Sequence, residues 1–360
     1  MSANKNKPII VWLFCGCFLI YAMVVIGGLT RLTHSGLSMV DWNLFGSLPP
    51  STEQGWNELF DKYKQYPEYQ QINFDFSVKD FKSIFWWEYT HRMLGRFIGV
   101  VFLIPFIYFW IRKQISKELM PKLILLLVLG GFQGVLGWYM VQSGLNKNPH
   151  VSHYRLAAHL ISAFAVFGFT FWTALSLKLK IENLKLEDKT KILNLKSQIL
   201  NLKNWSISLF VIVIIQIIYG AFVAGLRAGY LCPTWPKMCD EWMHDSVFAL
   251  QPAWKNFVEG AAGVQFVHRY VAYAVALLAS IIWYKSLAMQ LTSAQRKAVN
   301  ALIIIVTCQF ILGISTILYM NQYPVALGIL HQTGAFFLFG TCLWLLNNLR
   351  TIRNETHLQL

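Results

Sequence analysis

Apolar residues lie in eight long stretches of the chain, and polar segments separate them. The stretches run near residues 9–29, 84–111, 122–142, 153–177, 205–226, 264–288, 298–320 and 325–349. A helix needs about 20 apolar residues to cross about 30 Å of hydrocarbon, and each stretch reaches that length. The first continues through a glycine-rich segment without a small-residue cleavage site, which distinguishes it from a signal peptide. The pattern predicts an all-α integral membrane protein with eight transmembrane helices.

The composition supports this class, and the distribution of charge predicts an orientation. The chain is 56% hydrophobic and 13% charged, whereas soluble domains carry about 25% charged residues. With the N-terminus inside, the inner segments hold 18 Lys and Arg residues and the longer outer loops hold nine, which is the bias expected of cytoplasmic segments. The tail before the first span is too short for a mitochondrial transit peptide. We therefore expect a bacterial cell (inner) membrane, both termini cytoplasmic, and no nucleic-acid partner.

The eight predicted helices form two similar sets of four. The second helix contains EYTHRMLGRFIGV and the sixth contains QFVHRYVAYAVAL, each with a His-Arg pair. The fourth contains RLAAHLISAF and the eighth contains LGILHQTGAF. One shift of about 175 residues superimposes the histidines of both pairs of segments.

Four helices per repeat is an even number, so both halves keep the same orientation in the membrane. We predict two tandem four-helix bundles related by a pseudo-two-fold axis along the membrane normal. The predicted domains are residues 1–177 and 205–360, joined by a cytoplasmic connector at residues 178–204.

One histidine lies at a similar depth in each of four predicted helices: His91, His159, His268 and His331. Each is about six to eight residues into a span that enters from the outer face, or roughly 10 Å deep at about 1.5 Å per residue. Ionisable side chains inside a span are rare and usually functional. A lone histidine is more often hydrogen-bonded to a neighbouring helix, but a matched pair in each half favours metal ligation.

Imidazole binds zinc, copper and haem iron, so the residue type alone does not choose among them. One turn further along each helix the residue is small: Gly95, Ala163, Ala272 and Ala335. Small residues on the ligand face leave room for a flat macrocycle, although they also serve ordinary helix packing in lipid. We expect one haem in each bundle, held by two histidines from facing helices.

Basic residues beside the histidines predict partners for haem propionates. Arg92 and Arg269 directly follow histidines, and Arg96 and Arg155 lie close by. Guanidinium groups form charge-assisted pairs with carboxylates. The alternative is that the side chains extend to lipid headgroups, which fits Arg155 best.

The two halves differ at one ionisable position and in one loop. Glu88 precedes His91 by three residues, whereas Gln265 takes the same place before His268. Positions three apart share a helix face, so we expect Glu88 over the same cavity as His91. There it would pass protons or stabilise cationic intermediates; the alternative is a hydrogen bond to an imidazole. The first half also has the longer outer loop, which would cap the bundle or dock a partner.

The six cysteines fall into two groups. Four lie within apolar spans, where small core residues are expected: Cys15, Cys17, Cys308 and Cys342. Cys232 and Cys239 lie in an outer loop, on the oxidising face in this orientation. Their separation of seven residues allows a small ring, which favours a disulfide over a metal pair or free thiols.

The motifs EYTHR, FVHRY and HQTGA, with the helix exits GGLTRLTHSGLSMVDW and GAFVAGLRAGYLCPTWP, resemble the haem A synthase family in their order and spacing. The resemblance covers nearly the whole chain apart from the tails and the connector. It implies a membrane oxidoreductase of cytochrome oxidase assembly that converts haem O to haem A. The reaction oxidises the C8 methyl of the porphyrin to a formyl group by successive hydroxylations.

The resemblance also implies roles for individual residues. His268 and His331 would bind a haem b that relays electrons, because a bis-histidine haem has no open coordination site. His91 and His159 would receive the substrate haem O, with Glu88 as the catalytic carboxyl. The later outer loop of the family carries a cysteine pair like the one found here, but this chain lacks the pair that some relatives have in the first outer loop.

Two other functions fit parts of the pattern. A dihaem b-type electron-transfer cytochrome that oxidises quinol would have equivalent bundles, which the Glu88–Gln265 difference disfavours. A transporter built from repeats would show discontinuous helices, and only Pro105 interrupts a span in mid-course. For the enzyme we expect an unidentified membrane electron donor and, by resemblance, haem O synthase and cytochrome oxidase as neighbours.

Overall fold

The computed structural model describes residues 6–41, 46, 48–146, 149–183 and 196–350. Its α-helices are α1 Lys7–Leu32, α2 Glu53–Tyr63, α3 Pro67–Gln71, α4 Val78–Ile111, α5 Met120–Gln142, α6 His153–Asn183, α7 Lys196–Gly225, α8 Ala261–Leu287, α9 Ser293–Tyr319 and α10 Pro324–Asn348. Short 3-10 turns lie at Ala228–Tyr230, Asp245–Phe248 and Ala253–Phe257. Within these ranges eight helices, α1 and α4 to α10, are long and apolar enough to cross a membrane. The prediction of an all-α multi-pass membrane protein is confirmed.

The spanning helices pack in two rings of four. Helices α1, α4, α5 and α6 contact one another in cyclic order, as do α7, α8, α9 and α10. The rings meet where α6 contacts α7 and α10, and where α1 contacts α10. In the repeat, α1 corresponds to α7 and α6 corresponds to α10. Exchanging these helices turns the α6–α7 contact into the α10–α1 contact, as a two-fold relation requires. The axis itself and the domain bounds stay predictions.

Helices α6 and α7 extend into both ends of the predicted connector at residues 178–204. Helix α6 reaches Asn183 and α7 begins at Lys196. Residues 184–195 of the connector lie outside the described residues.

Aromatic side chains form the contact between the two rings. Phe164 and Phe167 of α6 and Phe336 and Phe339 of α10 are all buried. The rings of Phe167 and Phe336 have centroids 4.1 Å apart, and Phe164 meets Phe339 edge-on at 5.2 Å. Within lipid such close packing, rather than the hydrophobic effect, drives helix association. This packing therefore holds α6, which carries His159, against α10, which carries His331.

The cysteines within the spans do not all lie in the core. Cys17 and Cys342 are buried as predicted, whereas Cys15 and Cys308 are exposed. The prediction was wrong for these two because the phase of each helix turns them away from the packed core.

Helix α4 begins at Val78, earlier than the span predicted from residue 84. Ser77 and Asp80 form a reciprocal capping box: the Ser77 hydroxyl accepts from the Asp80 amide and the Asp80 carboxylate accepts from the Ser77 amide at 3.0 Å. His91 therefore lies about four turns from the start of its helix, whereas the other three histidines lie about two turns from theirs. Helix α4 thus has about two more turns before its histidine than the other three helices have.

The described part of the first long loop packs against this extension of α4. Helix α2 contributes Trp56, Phe60 and Tyr63 to a small aromatic core that also contains Phe81 and Phe85 of α4. The ring centroids of Phe60 and Phe81 are 5.3 Å apart. We name the side of the molecule on which α2 and α3 lie the long-loop face.

A buried carboxyl group lies beneath this aromatic core. Tyr63 donates its hydroxyl proton to Oε2 of Glu68 at 3.1 Å, and Asn73 donates from Nδ2 to the Tyr63 oxygen at 2.8 Å. Burial raises the pKa of Glu68 to about 8, above its ordinary value of 4.5. The folded loop therefore favours the protonated form of Glu68.

This pKa predicts that the stability of the α2–α3 segment falls with rising pH. The unfolded segment ionises Glu68 above pH 4.5 and the folded one only above about 8, so the stabilisation is complete below the lower value and lost as the pH passes the higher one. Amide-exchange protection of residues 53–73 should fall by up to about tenfold per pH unit between these values.

The Glu68→Gln variant has a neutral side chain of the same shape. Its amide-exchange protection should therefore not change with pH after correction for intrinsic exchange. Glu58→Gln, at an exposed position of α2, is the matched control and should follow the wild type. An equal loss of protection in Glu68→Gln and wild type would contradict the assignment.

Candidate functional site

The ring of each of the four histidines lies against a glycine of the preceding spanning helix. The pairs are Gly27 with His91, Gly137 with His159, Gly220 with His268, and Gly313 with His331. A Cβ at any of these glycines would lie 3.0–3.3 Å from the imidazole. Glycine therefore lets each pair of helices approach closely and holds the ring in a narrow slot.

The two histidines of the second half face each other across the ring of four helices formed by α7, α8, α9 and α10. His268 on α8 and His331 on α10 have ring centroids 6.4 Å apart, with planes at 82°. An imidazole nitrogen lies about 2 Å from a metal that it binds, so two rings on opposite sides of one ion have centres about 6 Å apart. His268 also has its Nδ1 buried without a hydrogen-bond partner. The pair fits the two axial ligands of one haem iron.

The first half pairs its histidines in the same way along the chain. His91 lies on α4 and His159 on α6, within electrostatic range of each other. Nδ1 of His159 is buried and has no hydrogen-bond partner. Beside His91 the space over Gly95 is partly filled, because Cε of Met23 lies 3.3 Å from the place of a Cβ there. The ligand role of these two histidines stays a prediction.

Glu88 is buried and both of its carboxylate oxygens are occupied. Ser38 donates its hydroxyl to Oε2 at 2.7 Å and Met39 donates its amide at 2.8 Å. Arg92 donates to Oε1 from Nη2 at 2.6 Å and from Nε at 3.1 Å. The described contacts thus do not include the alternative hydrogen bond from Glu88 to an imidazole. Glu88 instead holds the segment after α1 onto α4.

Arg92 completes this clamp through the backbone of the same segment. Its guanidinium donates to the carbonyl of Met39 at 2.7 Å and to that of Asp41 at 3.1 Å. The second half repeats the arrangement without a carboxylate: Arg269 donates to the carbonyls of Cys232 at 2.6 Å and Thr234 at 2.8 Å. Arg92 and Arg269, two of the arginines predicted as propionate partners, therefore hold loop segments over the histidines on the long-loop face. Nε of Arg269 is buried and unpaired, so one donor remains for a ligand.

Gln265 replaces Glu88 in this second arrangement, as predicted from the repeat. Its Nε2 donates to the carbonyl of Cys232 at 3.1 Å, and its Oε1 is buried without a partner. Cys232 and Cys239 are joined by a disulfide with Cα atoms 5.2 Å apart, which confirms the predicted bond. The ring it closes presents its carbonyls to Arg269.

The other two arginines have different surroundings. Arg96 lies on α4 with its guanidinium against Gly46, where a Cβ would be 3.2 Å away. Arg155 donates to the carbonyl of Tyr139 at 2.8 Å and stacks on its ring at 3.8 Å. Arg155 thus has local partners on α5, and both its propionate role and the alternative of extension to lipid headgroups stay predictions.

Sequence reasoning missed three glutamines on the helices that support the histidines. Gln133, Gln216 and Gln309 each lie four residues before the glycine that contacts an imidazole. Nε2 of Gln309 lies 3.2 Å from Nδ1 of His331, and Nε2 of Gln216 lies 3.4 Å from Nε2 of His268. The signal that would have found them is a Gln-x-x-x-Gly pattern repeated inside otherwise apolar spans.

Comparison with known proteins agrees with this architecture. A family model, COX15-CtaA, described as cytochrome oxidase assembly protein, matches residues 10–343. The chain belongs to this family. Members similar to it include "Heme A synthase" of Flavobacterium johnsoniae, 46% identical over 96% of this chain and 99% of the relative. The protein of the same name from Flavobacterium psychrophilum is 48% identical over 96% and 98%.

The family extends beyond bacteria. "Heme A synthase COX15" of Arabidopsis thaliana is 40% identical over 96% of this chain and 76% of the relative. The match to the family model includes every histidine of the site and the loop clamps described above. Membership therefore concerns the whole membrane-spanning body.

The Glu88–Arg92 pair predicts a local stability effect. Side-chain exposure is only 3% for Glu88 and 14% for Arg92, so Glu88→Ala leaves a largely buried charge unpaired. The free energy of opening of residues 35–41 should fall by about 3–5 kcal/mol, measured by amide exchange. Glu88→Gln reproduces the residue of the second half and should cost less, because it still accepts from Met39. Wild-type protection in Glu88→Ala would contradict the clamp.

Proposed function

We propose that the chain is a haem A synthase, an oxidoreductase that oxidises the C8 methyl of haem O to a formyl group by successive hydroxylations. The observation that carries the proposal is the facing pair His268 and His331, set at the separation that one iron requires. The full-length similarity to proteins named heme A synthase supports it. The match to the family described as cytochrome oxidase assembly protein supports a role for the product in the biogenesis of that oxidase.

In the second half, His268 and His331 would hold a haem b. When bound, this group would supply one-electron transfer. The chain's own residues fix the two imidazoles against Gly220 and Gly313 and shield them beneath the loop held by Arg269. The unpaired Nε of Arg269 suits a propionate oxygen, since a guanidinium forms charge-assisted hydrogen bonds with carboxylates.

In the first half, His91 and His159 receive the substrate haem O. Glu88 lies one turn before His91 on α4 and acts by positioning its neighbours. It orients Arg92 and holds residues 38–41 over the end of the four-helix ring where the histidines lie. A carboxylate fixed beside the site also favours positive charge that develops on the substrate during oxidation. Arg92 and Arg96 lie on the same helix and suit the substrate propionates.

The proposed setting is a bacterial cell (inner) membrane with both termini cytoplasmic. The excess of Lys and Arg in the inner segments supports this orientation, and the Cys232–Cys239 disulfide then lies on the oxidising side. The proposed partners are a membrane electron donor, haem O synthase as the source of substrate, and cytochrome oxidase as the user of haem A. The alternative, a dihaem b-type cytochrome oxidising quinol, is disfavoured by the difference between Glu88 and Gln265.

The reaction is tested by the pigments that the protein forms. Cells that make haem O should accumulate a formyl haem only when this chain is expressed, identified by reversed-phase chromatography of extracted haems. Glu88→Ala should yield less formyl haem at an unchanged haem b content, because its haem b lies in the other half. Extracts that contain only protohaem and unchanged haem O would favour the cytochrome instead.

The haem b ligands are tested by spectroscopy of the purified protein. His268→Ala and His331→Ala should each abolish the low-spin haem b signal, because one imidazole cannot complete the axial pair. His153→Ala is the matched control, since the ring of His153 binds the carbonyl of Val258 at 2.8 Å rather than a ligand. Retention of the wild-type spectrum in both ligand variants would refute the assignment.

A further inference from the structure

The four histidine slots differ in the residue that lies one turn before the supporting glycine. In α7 and α9 this residue is Gln216 or Gln309, in α5 it is Gln133, and in α1 it is Met23. Positions four apart share a helix face, so each of these side chains lies next to the imidazole slot. What each side chain binds separates the two halves.

In the second half both glutamines engage their histidine. Gln216 donates from Nε2 to the carbonyl of His268 at 3.0 Å, and Gln309 donates to the carbonyl of His331 at 2.9 Å. Each amide nitrogen also lies within 3.4 Å of a ring nitrogen of the same histidine. Oε1 of both glutamines is buried and has no partner. Each amide is therefore fixed by the backbone of its own histidine, and its nitrogen lies against the imidazole and limits how far the imidazole can turn.

A glycine makes this contact possible on α10. Gly334 lies three residues after His331, and a Cβ there would collide with Oε1 of Gln309. The missing side chain lets Gln309 lie flat over the helix and reach the histidine. The equivalent position after His159 is Ser162.

In the first half Ser162 diverts the glutamine. Gln133 donates from Nε2 to the Ser162 hydroxyl at 2.6 Å, and that hydroxyl donates to the carbonyl of His159 at 3.0 Å. The Gln133 amide thus bonds Ser162, whereas the glutamines of the second half bond their histidine. On the other side Met23 takes the place of a glutamine near His91, and a thioether has no donor and is only a weak acceptor.

We propose that these contacts set how long each half retains a haem. Gln216 and Gln309 fix the ring orientation of the haem b ligands, while Met23 and Ser162 leave His91 and His159 without that support, so substrate enters and product leaves. The inference rests on the proposed function and concerns positioning residues rather than catalytic ones. Hydrogen-bond partners of metal-bound histidines typically change metal affinity by about 10–100-fold.

The test transplants the arrangement of the second half into the first. Full-length Ser162→Gly frees Gln133, and Met23→Gln supplies the missing amide beside His91. Each purified variant is loaded with haem O, and transfer of that haem to excess apomyoglobin is followed by its Soret band. The half-time of haem O release should lengthen by about 10-fold or more in each variant, and the haem A that co-purifies after turnover should rise.

Ser280→Gly is the matched control, since it makes the same chemical change on α8, where the hydroxyl donates to the carbonyl of Ala276. In the opposite direction, Gln309→Leu should speed loss of haem b, because His331 loses the side chain that holds its imidazole in place. Release half-times of Ser162→Gly and Met23→Gln equal to that of Ser280→Gly would overturn the proposal.

The outcome is separable from that of the proposed function. Formyl haem in the pigment assay with unchanged release half-times would leave the synthase standing and remove the retention mechanism. Slower release of haem O from both variants without any formyl haem would support the retention mechanism and remove the synthase.

Discussion

The structure depends on one constraint: an imidazole placed among apolar helices needs a partner for each ring nitrogen. A bound metal would satisfy one nitrogen and a hydrogen bond would satisfy the other. The glycine slots bring a neighbouring helix close to each imidazole, and in the second half two facing imidazoles lie at a separation that fits one ion. The tight packing of α6 on α10 then holds one histidine of each half at a fixed separation from the other half.

The long-loop face completes the enclosure through arginines that bind backbone carbonyls. Arg92 and Arg269 each lie one residue after a histidine and each bind two carbonyls of the segment that follows α1 or α7. Carbonyl groups at a loop turn have free lone pairs, and a guanidinium fork binds two of them at once. In each half, the residue after one predicted ligand, His91 or His268, thus holds a loop segment over the histidines.

Much of this architecture was predictable, because membrane spans and intramembrane histidines are marked by simple patterns. The eight helices and the Cys232–Cys239 bond followed from such patterns. The partners of Glu88 did not, since Ser38 and Met39 lie about 50 residues away in the chain and only the folded loop brings them near. The start of α4 was missed because the apolar pattern marks the lipid boundary and not the end of the helix, which Ser77 and Asp80 determine. The exposure of Cys15 and Cys308 depends on helix phase, which an apolar run does not encode.

The two halves anchor their covering loops with different chemistry, so different changes weaken the two anchors. The anchor of Arg269 is a covalent ring closed by Cys232 and Cys239, whereas that of Arg92 relies on a carboxylate in an ion pair. Reductants therefore act on the covering loop of the second half first. Loss of the Glu88–Arg92 ion pair acts on the covering loop of the first half instead. The second-half loop thus takes its final form only after the thiols of Cys232 and Cys239 have been oxidised.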